Sequence, residues 1–110
     1  MQVTIEDALS QLGGDKVKLF EKVMEHGTMS VEIYRPVGTD KQTPHKQDEL
    51  YVVISGSGDF INGETRSPFQ KGDVLFVPAG IVHRFENFTD DFLTWVIFYG
   101  QDGGEKPSAQ

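Results

Sequence analysis

No cysteine occurs in the 110 residues. That absence removes disulfide staples, zinc–thiolate sites, iron–sulfur clusters and thiol nucleophiles at once. Long apolar runs are missing as well. Nothing approaches the ~20 consecutive residues that a bilayer-spanning helix requires, and residues 1–7 lack both the basic region and the apolar stretch of a secretory leader. A soluble, cytoplasmic protein with no membrane partner is expected. Positive charge is scarce too: 10 Lys and Arg stand against 17 Asp and Glu, for a formal net charge of −7. The basic residues are scattered rather than gathered in a stripe, so a phosphate backbone would be repelled and nucleic acid is not an expected partner.

What is present describes a small globular chain. At 37% hydrophobic and 25% charged it has the composition of a folded domain, and its length encloses one core. A single domain over residues 1–100 is expected, with a flexible C-terminal tail over 101–110, where the only apolar residue is one alanine. Thr4 and Asp7 ahead of Ala8, Leu9 and Leu12, with Gly13-Gly14 behind them, predict a short capped helix. From Lys16 the period changes to two: Val17, Leu19 and Val23 are expected on one face, and Met29, Val31, Ile33 and Val37 follow the turn at His26-Gly27. Further branched and aromatic runs lie at residues 50–54, 59–61, 74–77, 82–85 and 93–99, each bounded by Gly, Pro, Asn or Asp. Seven or eight short strands without helix–strand alternation predict an all-β antiparallel sandwich or barrel behind a short N-terminal helix. Asn62-Gly63 is expected at the centre of a type I′ hairpin, and Val77-Pro78-Ala79-Gly80 as a type I turn with Pro78 second and Gly80 fourth.

Two histidines stand where a metal site could form, and four residues past the first lies a carboxylate, Glu49. Four positions of straight strand would separate His45 from Glu49 by ~13 Å, too far for one ion. Pro44 before and Tyr51-Val52-Val53-Ile54 after argue against a helix. A tight reversal through Lys46-Gln47-Asp48 is left, with His45 ending one strand and Glu49 opening the next across a ladder. Other chemistries fare worse. Gly56-Ser57-Gly58 has no following helix and no Lys-Ser/Thr to make a phosphate loop, and no serine sits in a G-x-S-x-G elbow. The recurring aromatic residues read as core mass, with Tyr51, two positions past Glu49 on the same strand face, the one whose hydroxyl is a candidate for the pocket.

Gly72, five residues, Pro78-Ala79-Gly80, two residues, His83, three residues and Asn87 resemble the second cupin motif at every fixed position. His45, three residues, Glu49, six residues and Gly56 are similar to the back half of the first cupin motif; Thr43 stands in the place of its first histidine, and Gly38 lies one residue too close. The resemblance covers residues 38–87 and implies a cupin jelly roll, a double-stranded β-helix barrel. It further implies one divalent transition metal held by His45, Glu49 and His83, with Gln47 a further candidate ligand and Fe, Mn, Ni or Zn all compatible with two imidazoles and a carboxylate. A small-molecule ligand would enter the barrel beside Tyr51, the candidate catalytic residue. A metal-dependent oxygenase or isomerase is one function this implies; a non-catalytic small-molecule-binding module with a degenerate or absent metal site is the alternative. Exposed sheet edges lead to a homodimer as the expected assembly.

Overall fold

The computed structural model describes residues 1–107. Helix α1 (Ile5–Leu12) starts at a reciprocal cap: the Thr4 hydroxyl accepts from the Asp7 N–H at 3.0 Å, and the Asp7 carboxylate accepts from the Thr4 N–H at 3.2 Å. Two donors that a helix N-terminus leaves free are thereby satisfied. Eight strands follow: β1 (Phe20–His26), β2 (Met29–Tyr34), β3 (Asp48–Ser55), β4 (Ser57–Asn62), β5 (Thr65–Gln70), β6 (Val74–Val77), β7 (His83–Glu86) and β8 (Leu93–Tyr99). They form a five-stranded antiparallel sheet in the order β1-β2-β8-β3-β6 and a three-stranded one in the order β5-β4-β7. This is the jelly roll with a short N-terminal helix that the sequence implies.

Two apolar clusters lie on opposite sides of the large sheet. Between the sheets, Tyr51, Val53, Val77 and Val96 pack against Phe60, Phe69, Phe85 and Phe92. Outside, α1 sets Ala8 and Leu12 on Ile33 and Leu93. Strand β2 therefore turns its apolar side outward to the helix, and Ser30, Glu32 and Tyr34 line the interior cavity. Alternation along the strand dictates this: once Ile33 faces α1, its neighbours must face the inside.

Four local expectations are corrected. Val17 and Leu19 are exposed and precede β1, whose register breaks between Lys22 and Met24, so no single apolar face runs from 17 to 23. In the β4–β5 hairpin Asn62 pairs with Thr65, placing Gly63-Glu64 at the centre. Only Gly63 takes a positive φ there, +61°, the pattern of a type II′ turn rather than I′. The Pro78 turn is likewise shifted by one residue. Ile81 N–H bonds the Pro78 carbonyl at 3.3 Å, and Gly80, third in the turn with φ +81°, gives its own N–H to His45 at 2.8 Å. Positive φ at that position marks type II. Finally, His45 is not on a strand: it lies in irregular chain, and the reversal bends through Lys46 and Gln47 into β3.

Gly56 joins β3 to β4 and Gly58 lies just inside β4, and both must be glycine because residues 88–92 lie directly on them. A Cβ at Gly56 would stand 2.6 Å from Phe92 Cα, and one at Gly58 2.8 Å from Phe88 Cα. Past β8, Gly103 N–H donates to the Lys46 carbonyl at 2.7 Å and Glu105 N–H to Asp48 Oδ2 at 2.8 Å. The last three residues of the expected tail, 108–110, lie outside the described residues. Among the described residues no helix is long and apolar enough to cross a membrane.

Candidate metal centre

Glu49 enters from the second position of β3, pointing inward on the same face as Tyr51 and Val53. His83 opens β7 on the opposite sheet, and His45 arrives from the loop before β3. One donor atom from each of the three lies within 4.8 Å of the others. His45 Nδ1 is 3.0 Å from Glu49 Oε1, and His83 Nε2 is 2.8 Å from the same oxygen. Glu49 and His83 are buried, whereas the His45 side chain is 33% exposed and closes the group on the solvent side.

Backbone bonds between the two motifs hold this convergence. The His45 carbonyl accepts from Gly80 N–H, and Asp48 Oδ1 accepts from Ala79 N–H at 2.9 Å. The loop carrying His45 and the turn leading to His83 are thus one hydrogen-bonded unit. Gln47 fastens the other side, its Nε2 donating to the carbonyls of Thr28 at 2.9 Å and Gly100 at 2.8 Å. Its amide nitrogen is a clamp on the loop. The His45 ring rests edge-on against Phe98, with centroids 4.9 Å apart.

The donor chemistry fits a cation. His83 Nδ1 lies 2.7 Å from the Ile81 carbonyl, an acceptor, so that nitrogen carries the ring proton. In the neutral ring Nε2 is then a bare lone pair facing a carboxylate oxygen, and Glu49 Oε2 and His83 Nε2 are buried without a well-aligned hydrogen-bond partner. Two acceptors in contact repel unless positive charge lies between them. Without a metal a proton supplies that charge. Burial favours the neutral imidazole of His83, yet the Glu49 hydrogen bond, the Ile81 carbonyl and the Glu49 charge outweigh it and raise the His83 pKa above its ordinary value. Burial likewise favours the protonated form of Glu49, but hydrogen bonds from both histidines and their charges hold its carboxyl below the usual range. A divalent ion would replace the proton in the same place.

In front of the group opens a cavity of about 1160 Å³. His45, Glu49 and Tyr51 reach it from the metal side, Glu32 and Phe98 from the sheet. Thr43, the residue in the place of the missing motif histidine, is exposed along its wall. Tyr51 is buried, and its hydroxyl donates to Gln42 Oε1 at 2.9 Å. Burial and the Glu49 charge push the Tyr51 phenol well above its ordinary pKa, which keeps it a neutral donor.

Two residues, Gln42 on this wall and Asp40 buried behind it, escape sequence reasoning. Asp40 is buried and accepts from the Tyr34 hydroxyl at 2.5 Å, the Gln42 amide at 2.7 Å and the Phe85 N–H at 2.8 Å. Gln42 passes that network on to Tyr51. In sequence, Thr39-Asp40-Lys41-Gln42 has the polar composition of any solvated loop, and nothing in it marks one carboxylate as internal.

The cupin-domain family model matches residues 30–99. The chain belongs to the cupin family. It is 40% identical over 72 residues to an uncharacterised protein of Streptomyces coelicolor, covering 64% of this chain and 69% of that one. It is 35% identical over 71 residues to a mannose-6-phosphate isomerase of Cryptococcus neoformans, covering 64% of this chain but only 16% of the isomerase. Among solved structures, a cupin-2 domain protein from Shewanella frigidimarina superposes with a TM-score of 0.67 at 15% identity, covering 89% of this chain and 94% of that one. At that identity the likeness concerns the fold.

Proposed function

We propose that this cupin binds one divalent transition metal through His45, Glu49 and His83 and holds a small molecule against it in the adjoining cavity. The observation that carries the reading is the buried contact of His83 Nε2 with Glu49 Oε1, a pair of acceptors that needs positive charge between them, which a metal ion would supply in place of a proton. Such an ion, when bound with open positions, polarises an oxygen-bearing ligand. The chain's own residues do the rest. Ile81 fixes the His83 tautomer through its carbonyl. Phe98 shields one side of His45. Tyr51, held through Gln42, keeps a neutral hydroxyl beside the carboxylate.

Oxygenase or isomerase turnover is the finer reading, and the barrel by itself does not choose between them. A binding module without turnover is favoured by one feature, Thr43 where a third imidazole would stand. Metal analysis after dialysis against Fe(II), Mn(II), Ni(II) and Zn(II) tests the site: about one equivalent of at least one metal is expected, and none with any of them would refute it. Oxygen uptake and product analysis on the loaded protein, over a panel of small hydroxylated metabolites, then separates enzyme from binding module. A homodimer belongs to the same reading, supported by β1 lying at the end of its sheet with Phe20 exposed. Light scattering on the eluted peak tests it.

A further inference from the structure

Glu32 stands on the inner side of β2, level with Val96 of β8 and Tyr51 of β3. It lines the cavity, half-buried, one level away from the Ser30, Phe98 and Glu49 level that carries the metal group. Among the described residues its carboxylate accepts no hydrogen bond and joins no ion pair. Lys22 is its partner across β1 and β2, but Lys22 Nζ lies 3.2 Å from Glu25 Oε2 instead. The other acids of the cavity are occupied or peripheral: Glu49 by the two histidines, Glu21 by Lys18 at 2.5 Å, and Asp102 out at the exposed rim. Burial raises the Glu32 carboxyl pKa against the attraction of His45 and Lys22, as for an acceptor that has lost water and gained no donor. At the same mouth stand Lys41 and Lys46, neither of them in an ion pair among the described residues.

We infer that Glu32 is the specificity-determining residue of this cavity and that the ligand class is a small polyhydroxylated carboxylate. Its acid end lies at the metal position and lysine rim, and a hydroxyl further along donates to Glu32. The inference rests on the metal reading above. A hydroxyl meeting a half-buried carboxylate makes a charge-assisted hydrogen bond, and an analogue without that hydroxyl leaves the carboxylate desolvated and unpaired. Discrimination therefore falls on the presence of the hydroxyl more than on chain length.

The test uses Co(II)-loaded protein and acids paired by carbon number: glycerate with lactate, erythronate with 2-hydroxybutanoate, gluconate with 2-hydroxyhexanoate. Each pair shares the chelating 2-hydroxycarboxylate end and differs in the hydroxyls beyond it. Binding is read from the visible Co(II) spectrum. In at least one pair the hydroxylated acid is expected to bind about tenfold tighter or more. Glu32→Leu is expected to abolish that preference, weakening the hydroxylated acid and relieving the penalty on the deoxy acid, and Glu32→Gln, which keeps an acceptor oxygen, to retain part of it. Co(II) content of each variant reports whether the barrel is intact, and the Gln variant decides if the Leu variant fails to fold. Retained Co(II) with no hydroxyl preference in any pair, or with a preference that both variants leave intact, overturns the inference alone. Failure to retain Co(II) in the unmodified protein overturns the metal reading and this inference with it.

Discussion

His83 faces Glu49 with an Nε2 that has no proton to give in the neutral ring, because its Nδ1 proton is directed to the Ile81 carbonyl. The two groups are 2.8 Å apart and buried. A cation shared between them is the simplest way to make that contact favourable. Replacing His83 by Ala should therefore lower metal retention by at least about tenfold, as should Glu49→Gln. Elemental analysis after dialysis measures this, with circular dichroism confirming an intact β fold. Retention equal to the unmodified protein would place the ion elsewhere.

The same contact sets a pH dependence whose sign follows from the two displaced pKa values. Glu49 is held below its unfolded value, so its stabilising share is complete above about pH 4.5 and is lost as pH falls through the lowered folded value. His83 is held above 6.5, so its share is complete below that value and is lost as pH rises through the raised one. Metal-free protein should gain most from this pair between those limits. Metal binding displaces the His83 proton, so apparent metal affinity should rise with pH across the raised His83 pKa. Thermal unfolding from pH 3 to 9 with and without metal checks both trends; a metal affinity that fell as pH rose would contradict the tautomer assignment.

Gly56→Ala should be among the most damaging single-methyl additions. The new Cβ would meet Phe92 backbone at 2.6 Å and at a φ of +86° that side chains rarely adopt. Together these should cost about 2 kcal/mol or more, read from chemical denaturation. Gly72→Ala, with φ +90° but nothing within 4 Å of the added carbon, should cost less.

Asp40→Ala should unfold the wall behind Tyr51 more readily than any change to its exposed neighbours. It strips acceptors from the Tyr34 hydroxyl, the Gln42 amide and the buried Phe85 N–H. A loss of about 2–4 kcal/mol is expected, against about 1 kcal/mol for Tyr51→Phe, which removes one hydrogen bond and should leave metal content unchanged. Urea melts of the two variants give the ranking, and equal costs would show that the Asp40 network is not shared.

Much of this architecture was legible beforehand because it rests on strong local signals. The capped helix, the segment 93–99 that became β8 and the strand opening at His83 follow from capping chemistry and branched-residue runs. The gathering of His45, Glu49 and His83 was legible only through the resemblance of residues 38–87 to the two cupin motifs, which implies that ligand set. What escaped depends on contacts distant in sequence. The Pro78 turn shifted because Gly80 N–H is claimed by His45, 35 positions earlier. Strand β5, Thr65–Gln70, carries a proline and mostly exposed side chains, so no apolar alternation announces it. Asp40 looked solvated because burial of a loop carboxylate is decided by which donors the remote chain brings to it. Asn87 takes a positive φ of +53° and donates to Asp59 Oδ2 at 3.0 Å, which gives the last residue of the second motif a conformational role rather than a chemical one.

Because α1 seals the outer surface of β2 through Ile33, the residues at 30 and 32 contribute little to cohesion of the molecule. A library randomised at those two codons should keep its folded fraction while its members diverge in what they retain. That separation of duties makes one strand a natural handle for redirecting the cupin in the laboratory.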